Sequence, residues 1–223
     1  SGDKKVNNPS NVGVTGRVIG VNKVGTATEG TACWYSFWKD AGFNGAWSPG
    51  TPGLNGRVTD GMTAADNGCL PLWTPTGQLY ITEAAAATTT LCTIMLADIV
   101  WVNTGLVVTT TTAQAITTPT FPARDLDGST NGAGYIIGLV TTTANTNAAA
   151  ITNSTVTYTN SDGTGSRTAT LLAVAGDQIP PTPVIGNVVW FQLAAGDKGV
   201  RSIQSITLGT SLAAGAVSLI VAL

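Results

Sequence analysis

The sequence predicts an all-β fold, namely an antiparallel β-sandwich of jelly-roll-like type that follows an extended, loop-rich N-terminal region. Three observations lead to this prediction. From residue 79 onward, runs rich in Thr and Val are separated by Gly, Asn, Asp and Pro, which is the pattern of short strands joined by turns. Residues 155–159 alternate strictly between Thr and a larger apolar or aromatic residue. No stretch shows an amphipathic helical pattern of ordinary length.

Composition divides the 223 residues into three parts. Residues 1–30 are rich in Gly, Asn and Val, and we interpret them as an extended arm with short strands. Residues 31–78 combine Pro and Gly with an aromatic cluster, which predicts loops that lie over another part of the protein. Residues 79–223 form the predicted β-sandwich domain, which is long enough for a substantial core.

Several strands of the sandwich can be placed individually. In residues 155–159, Val156 and Tyr158 fall on one face and three threonines on the other. A turn sequence follows at once, and residues 167–174 are predicted to return as the second strand of a hairpin. The apolar run at 188–193 predicts a buried central strand. Valine and leucine at alternate positions from 217 to 223 predict a final strand with one large-residue face and one small-residue face.

Two alanine-rich segments interrupt the strand pattern. Residues 82–88 contain four consecutive alanines, but they are too few for an independent helix and end in β-branched Thr, so we expect one helical turn or a flat loop. Residues 144–150 place Asn among alanines and predict a loop.

Charge is scarce in this chain. Charged residues make up 10% of the sequence, against about 25% in a typical soluble domain. The net charge of −2, with scattered basic residues, argues against a nucleic-acid surface. The apolar runs are too short or too interrupted to span a membrane. Because threonine fills 37 positions, we expect an uncharged surface that other protein chains cover.

The residue types present exclude most catalytic and metal-binding chemistry. The absence of histidine excludes Ser-His-Asp and Cys-His catalysis and histidine-ligated metals. Only two Glu are present, and no phosphate-binding loop motif occurs. The acidic stretch at 124–132 lacks the spacing of a calcium loop and predicts Asx turns instead. We therefore expect no enzymatic activity, cofactor or metal.

Cysteine usage points to a reducing compartment. Cys33, Cys69 and Cys92 are odd in number and widely spaced, and the opening residues do not read as a signal peptide. Free, mostly buried thiols are the expectation, with one disulfide and one remaining thiol as the alternative.

An aromatic cluster is the first candidate functional site. Aromatic side chains are enriched at interface cores because each buries a large apolar area. Three interpretations remain open, which are an ordinary core cluster beneath the loops, an anchor buried in a partner protein, and a platform on which sugars stack. The members are Trp34, Tyr35, Phe37, Trp38, Phe43 and Trp47.

A charged turn is the second candidate. Residues 196–201 read Gly-Asp-Lys-Gly-Val-Arg and precede a predicted strand. One interpretation is a surface hairpin in which Asp197 contacts Lys198 or Arg201. The other is an ion pair between subunits that uses the same three residues.

Four motifs in the C-terminal half resemble a family of tailed-bacteriophage virion structural proteins, and together they span about residues 100–210. The first is Leu-Val-Val-Thr-Thr-Thr-Thr at 106–112, and the second is Pro-Ala-Arg-Asp at 122–125 with Gly-Ser-Thr-Asn-Gly at 128–132. The third is Tyr-Thr-Asn-Ser-Asp-Gly at 158–163 with Arg-Thr-Ala at 167–169, and the fourth is Ala-Gly-Asp-Lys-Gly-Val-Arg-Ser-Ile-Gln-Ser-Ile at 195–206.

The resemblance implies a non-enzymatic, β-rich protein that is present in many copies on the virion. We expect a capsid decoration (cement) protein, assembled in the host cytoplasm, that contacts the major capsid protein and copies of itself, in a trimer or another homo-oligomer. The alternative is a tail, neck or fibre-associated protein, including an adhesin that binds host-surface glycans. Neither expectation includes a nucleic acid or a membrane as partner.

Overall fold

The computed structural model describes residues 25, 28–30, 32–37, 55–59, 93–174 and 177–223. These residues contain ten strands and no helix, arranged as two antiparallel sheets, which confirms the all-β prediction. The predicted arm falls mostly outside the described residues, as does the alanine-rich segment 82–88. The strands are β1 (Trp34–Tyr35), β2 (Arg57–Val58), β3 (Ile99–Asn103), β4 (Gln114–Ala115), β5 (Ile136–Thr143), β6 (Thr155–Asn160), β7 (Arg167–Thr170), β8 (Asn187–Trp190), β9 (Val200–Thr207) and β10 (Ala216–Ala222).

The six-stranded sheet has the order β1-β8-β5-β10-β3-β2. Its two short edge strands, β1 and β2, come from the region predicted to consist of loops. The predicted strand at 188–193 corresponds to β8, which is buried at Val188 and Val189 and lies next to the edge strand β1. The final strand is β10, which pairs with β5 on one side and β3 on the other.

The four-stranded sheet has the order β4-β9-β6-β7 and contains the predicted hairpin. Its strands β6 and β7 pair from Thr155 opposite Thr170 to Tyr158 opposite Arg167. The second strand ends at Thr170, earlier than predicted, and Thr170 also exchanges backbone hydrogen bonds with Gln192 in an isolated bridge. The alanine-rich segment 144–150 is a loop, as predicted.

The main hydrophobic core lies between the two sheets. The alternation in β6 places Val156 and Tyr158 in this core, as the sequence indicates. Trp101 is fully buried, and its Nε1 donates a hydrogen bond of 3.2 Å to the Asn55 carbonyl oxygen. The core also contains residues from both sheets, including Ile137, Leu139, Val217 and Leu219 from the larger sheet and Ala169, Val200, Ile203 and Ile206 from the smaller one.

The six-stranded sheet is also buried on its other face. A second apolar cluster there contains Val102, Val140, Val188 and Ile220, and Trp190 packs against it. Ser218 and Ala222 of β10 are likewise buried. The small-residue face that the sequence predicts for the final strand is therefore as enclosed as its large-residue face.

Candidate functional site

The described members of the aromatic cluster lie at the edge of the six-stranded sheet. Trp34 pairs with Val188 and is 36% exposed, and Phe37 has the same exposure. Tyr35 is half-buried, and its hydroxyl accepts a 2.7 Å hydrogen bond from the Gly30 amide. None of these three aromatic residues belongs to either buried cluster. The remaining members, Trp38, Phe43 and Trp47, lie outside the described residues.

A groove of about 320 Å³ lies beside Tyr35. It is lined by Cys33, Tyr35 and the proline-rich residues 180–184, among others. Cys33 is a free, half-buried thiol, and burial raises the pKa of Tyr35. Cys69 and Cys92 lie outside the described residues, so the predicted state of those two thiols stays a prediction.

The charged turn is arranged differently from the prediction. The Asp197 carboxylate is only 5% exposed and forms a salt bridge of 2.9 Å with Arg167 Nε. Asn160 Nδ2 donates a hydrogen bond of 2.8 Å to the same carboxylate. The predicted local contact of Asp197 with Lys198 or Arg201 is therefore wrong, because Arg167, thirty residues earlier in the chain, takes the place of those cations.

Tyr158 completes the network around Asp197. Its hydroxyl donates a hydrogen bond to the Asp197 carboxylate and accepts one of 3.0 Å from the Ala194 amide. The hydrogen bond from Arg167 is the main cause that lowers the pKa of Asp197 to about 2, against the effect of burial. Burial, followed by the hydrogen bond to Asp197, raises the pKa of Tyr158 to about 12. Because both pKa values lie far from neutrality, this network holds fixed charges at neutral pH rather than exchanging protons.

Lys198 and Arg201 are exposed, unlike Asp197. Among the described residues, neither cation forms an ion pair with a carboxylate. Of the three charged-turn candidates, these two are thus available to an external partner, whereas Asp197 already has its partners within the chain.

The acidic loop is organised around one buried carboxylate. Asp125 accepts hydrogen bonds from the Gly132 amide at 2.8 Å, the Ala133 amide at 3.1 Å and the Ser129 hydroxyl at 2.8 Å. Burial acts to raise the pKa of Asp125, but the hydrogen bonds from Ser129, Ala133 and Gly132 outweigh burial and hold it at about 2. This is the predicted Asx-turn arrangement. Within the described part of the chain, no group of three or more Cys, Asp or Glu side chains could hold a metal ion.

The outer surface of the four-stranded sheet carries a field of hydroxyl side chains. Thr155, Thr157 and Thr159 alternate with core residues of β6 and so point away from the core. Each has at least one hydroxyl residue opposite it on a neighbouring strand, such as Thr168 and Ser205 beside Thr157. We call this surface the hydroxyl face. Its members, all half-buried or exposed and none charged, are Thr155, Thr157, Thr159, Thr168, Thr170, Ser202, Ser205 and Thr207.

No protein-family model, curated protein or solved structure matches this chain. In the part of the chain that the structure describes, no helix is long and apolar enough to cross a membrane.

Proposed function

We propose that the chain is a capsid decoration (cement) protein of a tailed bacteriophage, which joins neighbouring capsid subunits through contacts with the major capsid protein and with copies of itself. The observation that carries this proposal is the hydroxyl face, an uncharged patch of eight Thr and Ser side chains over three neighbouring strands. Support from the sequence comes from the four motifs that resemble virion structural proteins, two of which contain residues of β6, β7 and β9.

The chemistry of threonine suits a surface that alternates between water and protein. A hydroxyl group remains hydrated before assembly and can form a hydrogen bond across an interface, while the methyl group adds apolar area. A charged side chain would instead need a partner when buried, because removing an ion from water is costly. Interface cores are depleted in charged residues for the same reason.

Repetition on a lattice would strengthen such contacts. A decoration protein occupies many equivalent positions, so several modest interfaces act together and raise the effective affinity. A sandwich with a packed core between its sheets supplies a rigid body for this purpose. No catalytic group is required for this function.

A binding assay with phage heads that lack the protein tests the proposal. The purified chain should co-sediment with such heads at saturable stoichiometry. A double variant with Thr157→Lys and Thr168→Lys should not co-sediment with the heads. These two positions lie opposite each other on β6 and β7. The control pair, Thr146→Lys and Thr210→Lys, adds the same charge at exposed positions outside the hydroxyl face. Equal binding of both charged variants would contradict the proposed role of this face, and absence of wild-type binding would contradict the decoration function.

A tail, neck or fibre-associated role is the second candidate. It is favoured by Trp34 and Phe37, whose partial exposure would allow aromatic contact with a host-surface glycan. Cryo-electron microscopy of the source virion separates the two roles, since decoration requires density over the whole head lattice. Density restricted to the tail, together with glycan binding that is lost in Trp34→Ala, would favour the second role.

A further inference from the structure

A second groove opens at one end of the hydroxyl face, beside the turn between β6 and β7. Its volume is about 350 Å³, near the lower end of the range of about 300–1,000 Å³ found for small-molecule sites. We call it the Arg201 groove. It is lined by Thr118, Pro119, Thr120, Thr130, Thr159, Gly163, Arg201 and Ser202.

Arg201 is placed here by a β-bulge. In the pairing of β6 with β9, Thr159 lies opposite Ser202 and Asn160 lies opposite Val200, so Arg201 is the extra residue between them. Bulges redirect a side chain and are frequent next to binding sites. A Cβ atom added at Gly163 would lie 3.5 Å from Arg201 Nη1, so the guanidinium lies close against the hairpin turn.

The groove offers one cation and several unused hydroxyl groups. Arg201 has no ion-pair partner among the described residues, and no carboxylate lines the groove. Thr118 Oγ1 accepts a hydrogen bond from the Ile203 amide. The hydroxyls of Thr120, Thr130 and Ser202 have no hydrogen bond to other described residues, and they remain available to a ligand.

We infer that the Arg201 groove binds a carboxylated sugar of the uronic or sialic acid class. A guanidinium pairs with a carboxylate through two parallel hydrogen bonds, which fixes the orientation of the acid. Surrounding hydroxyl groups donate to and accept from the hydroxyl groups of a sugar ring. Pro119 adds an apolar surface for the ring's carbon atoms.

The same lining argues against two other ligands. A nucleic acid needs several Lys or Arg side chains along its backbone, and this groove has one cation in a chain of net charge −2. A small inorganic anion is smaller than a sugar ring, so it would leave more of the groove's hydroxyl groups, and Pro119, without a contact. The inference is independent of the capsid proposal, because it concerns an isolated copy of the chain.

Calorimetric titration of the purified chain tests this inference with two matched pairs of probes. Sialyllactose is compared with lactose, and trigalacturonic acid with its methyl ester. At least one acid should bind, and its neutral counterpart should have an affinity at least about 10-fold lower. The reason is that a hydrogen bond to a charged group contributes about 1.5–3 kcal/mol. Binding should weaken as salt is added, because dissolved ions screen the attraction between the guanidinium and the carboxylate at a site that is open to solvent.

Variants assign the binding to the groove. Arg201→Gln should weaken binding of the acid about 10-fold or more, and Thr120→Val should weaken it several-fold. Lys198→Gln is the control, because it removes an exposed cation from the neighbouring turn that does not line the groove. The affinity of the Lys198→Gln variant for the acid should stay within about two-fold of that of the wild type.

Several outcomes would overturn the inference. They are absence of binding to both acids, equal affinity for the acid and its neutral counterpart, and equal losses in Arg201→Gln and Lys198→Gln. Displacement of the sugar by inorganic sulfate at equal concentration would show a simple anion site instead. If Arg201→Gln changed only self-association or head binding, the guanidinium would be a protein contact.

Discussion

The Arg167 guanidinium and the Asp197 carboxylate, 2.9 Å apart, join the hairpin of the smaller sheet to the turn through which the chain passes from one sheet to the other. Arg167 begins β7, and Asp197 lies between β8 of the six-stranded sheet and β9 of the four-stranded sheet. Tyr158 and Asn160 of β6 bind the same carboxylate. One buried charge thus fixes the position of three chain segments relative to each other.

Asp197→Asn should lower the free energy of unfolding by about 2 kcal/mol. The substitution keeps the shape of the side chain but removes the charge that pairs with Arg167 and that accepts two further hydrogen bonds. Loss of a fully buried pair costs more, but Arg167 is partly exposed and can regain water. Urea denaturation measures the change.

Asp162→Asn is the matched control for that substitution. Asp162 is exposed in the hairpin turn, so its replacement should change the free energy of unfolding by less than about 0.5 kcal/mol. Equal losses in the two variants would mean that the network around Asp197 has no special role in stability.

The protein should lose stability in acid between about pH 4 and pH 2. The pKa values of Asp125 and Asp197 are about 2 in the folded chain, against an ordinary value of 3.8. Because the folded pKa is depressed, the stabilisation is complete above the unfolded value and disappears as pH falls through the folded value. The contribution is on the order of 2 kcal/mol for each carboxylate.

Urea denaturation at a series of pH values checks this prediction. Asp125→Asn and Asp197→Asn should each reduce the slope of stability against pH in the acid range. A slope that is the same in both variants and in the wild type would show that the acid sensitivity arises from other groups.

Tyr158 should make the fold sensitive to alkali in the range from about pH 10 to pH 12. Its pKa is raised from 10.0 to about 12, so the unfolded chain ionises this phenol at lower pH than the folded chain. The contribution of Tyr158 to stability is therefore complete below pH 10 and falls as pH rises toward the pKa in the folded chain. Tyr158→Phe should reduce this alkaline loss and, because two hydrogen bonds disappear, should be less stable at neutral pH by about 1–2 kcal/mol.

Absorbance of the phenolate gives the corresponding spectroscopic test. The difference between wild-type and Tyr158→Phe titrations should show one tyrosine that ionises late or together with unfolding. A difference curve centred on the ordinary pKa of 10.0 would contradict the buried position of this hydroxyl.

The sequence was sufficient to predict features that depend on neighbouring residues. The hairpin of β6 and β7 follows from the alternation around Val156 and Tyr158 and from the turn that comes next. The loop around Asp125 follows from the turn preferences of Asp, Ser and Gly. Both features form within about twenty residues of chain, where local periodicity carries the information.

Features that depend on distant segments escaped prediction. No local signal connects Asp197 with Arg167, because the chain crosses between sheets before the two side chains meet. Ser202 and Ser205 of β9 lie three residues apart and do not follow a two-residue alternation, because the pairing of β9 with β6 contains two register shifts. The sequence of β9 therefore does not show that both serines belong to the hydroxyl face. An alternating pattern also assumes that one face of a strand is exposed, whereas β10 is buried on both.

Gly132→Ala should be far more disruptive than Gly128→Ala, although both glycines have positive φ angles, of 80° and 68°. An added Cβ at Gly132 would lie 1.9 Å from the Val200 carbonyl oxygen, whereas one at Gly128 would meet no atom within 4 Å. Alanine at Gly128 should therefore cost only the backbone strain of about 1–2 kcal/mol. Alanine at Gly132 must also separate the loop from β9, where the Val200 amide donates to the Gly132 carbonyl, and should cost more than about 3 kcal/mol or prevent folding. Urea denaturation and resistance to proteolysis distinguish the two variants, and equal losses would contradict the close approach of this loop to β9.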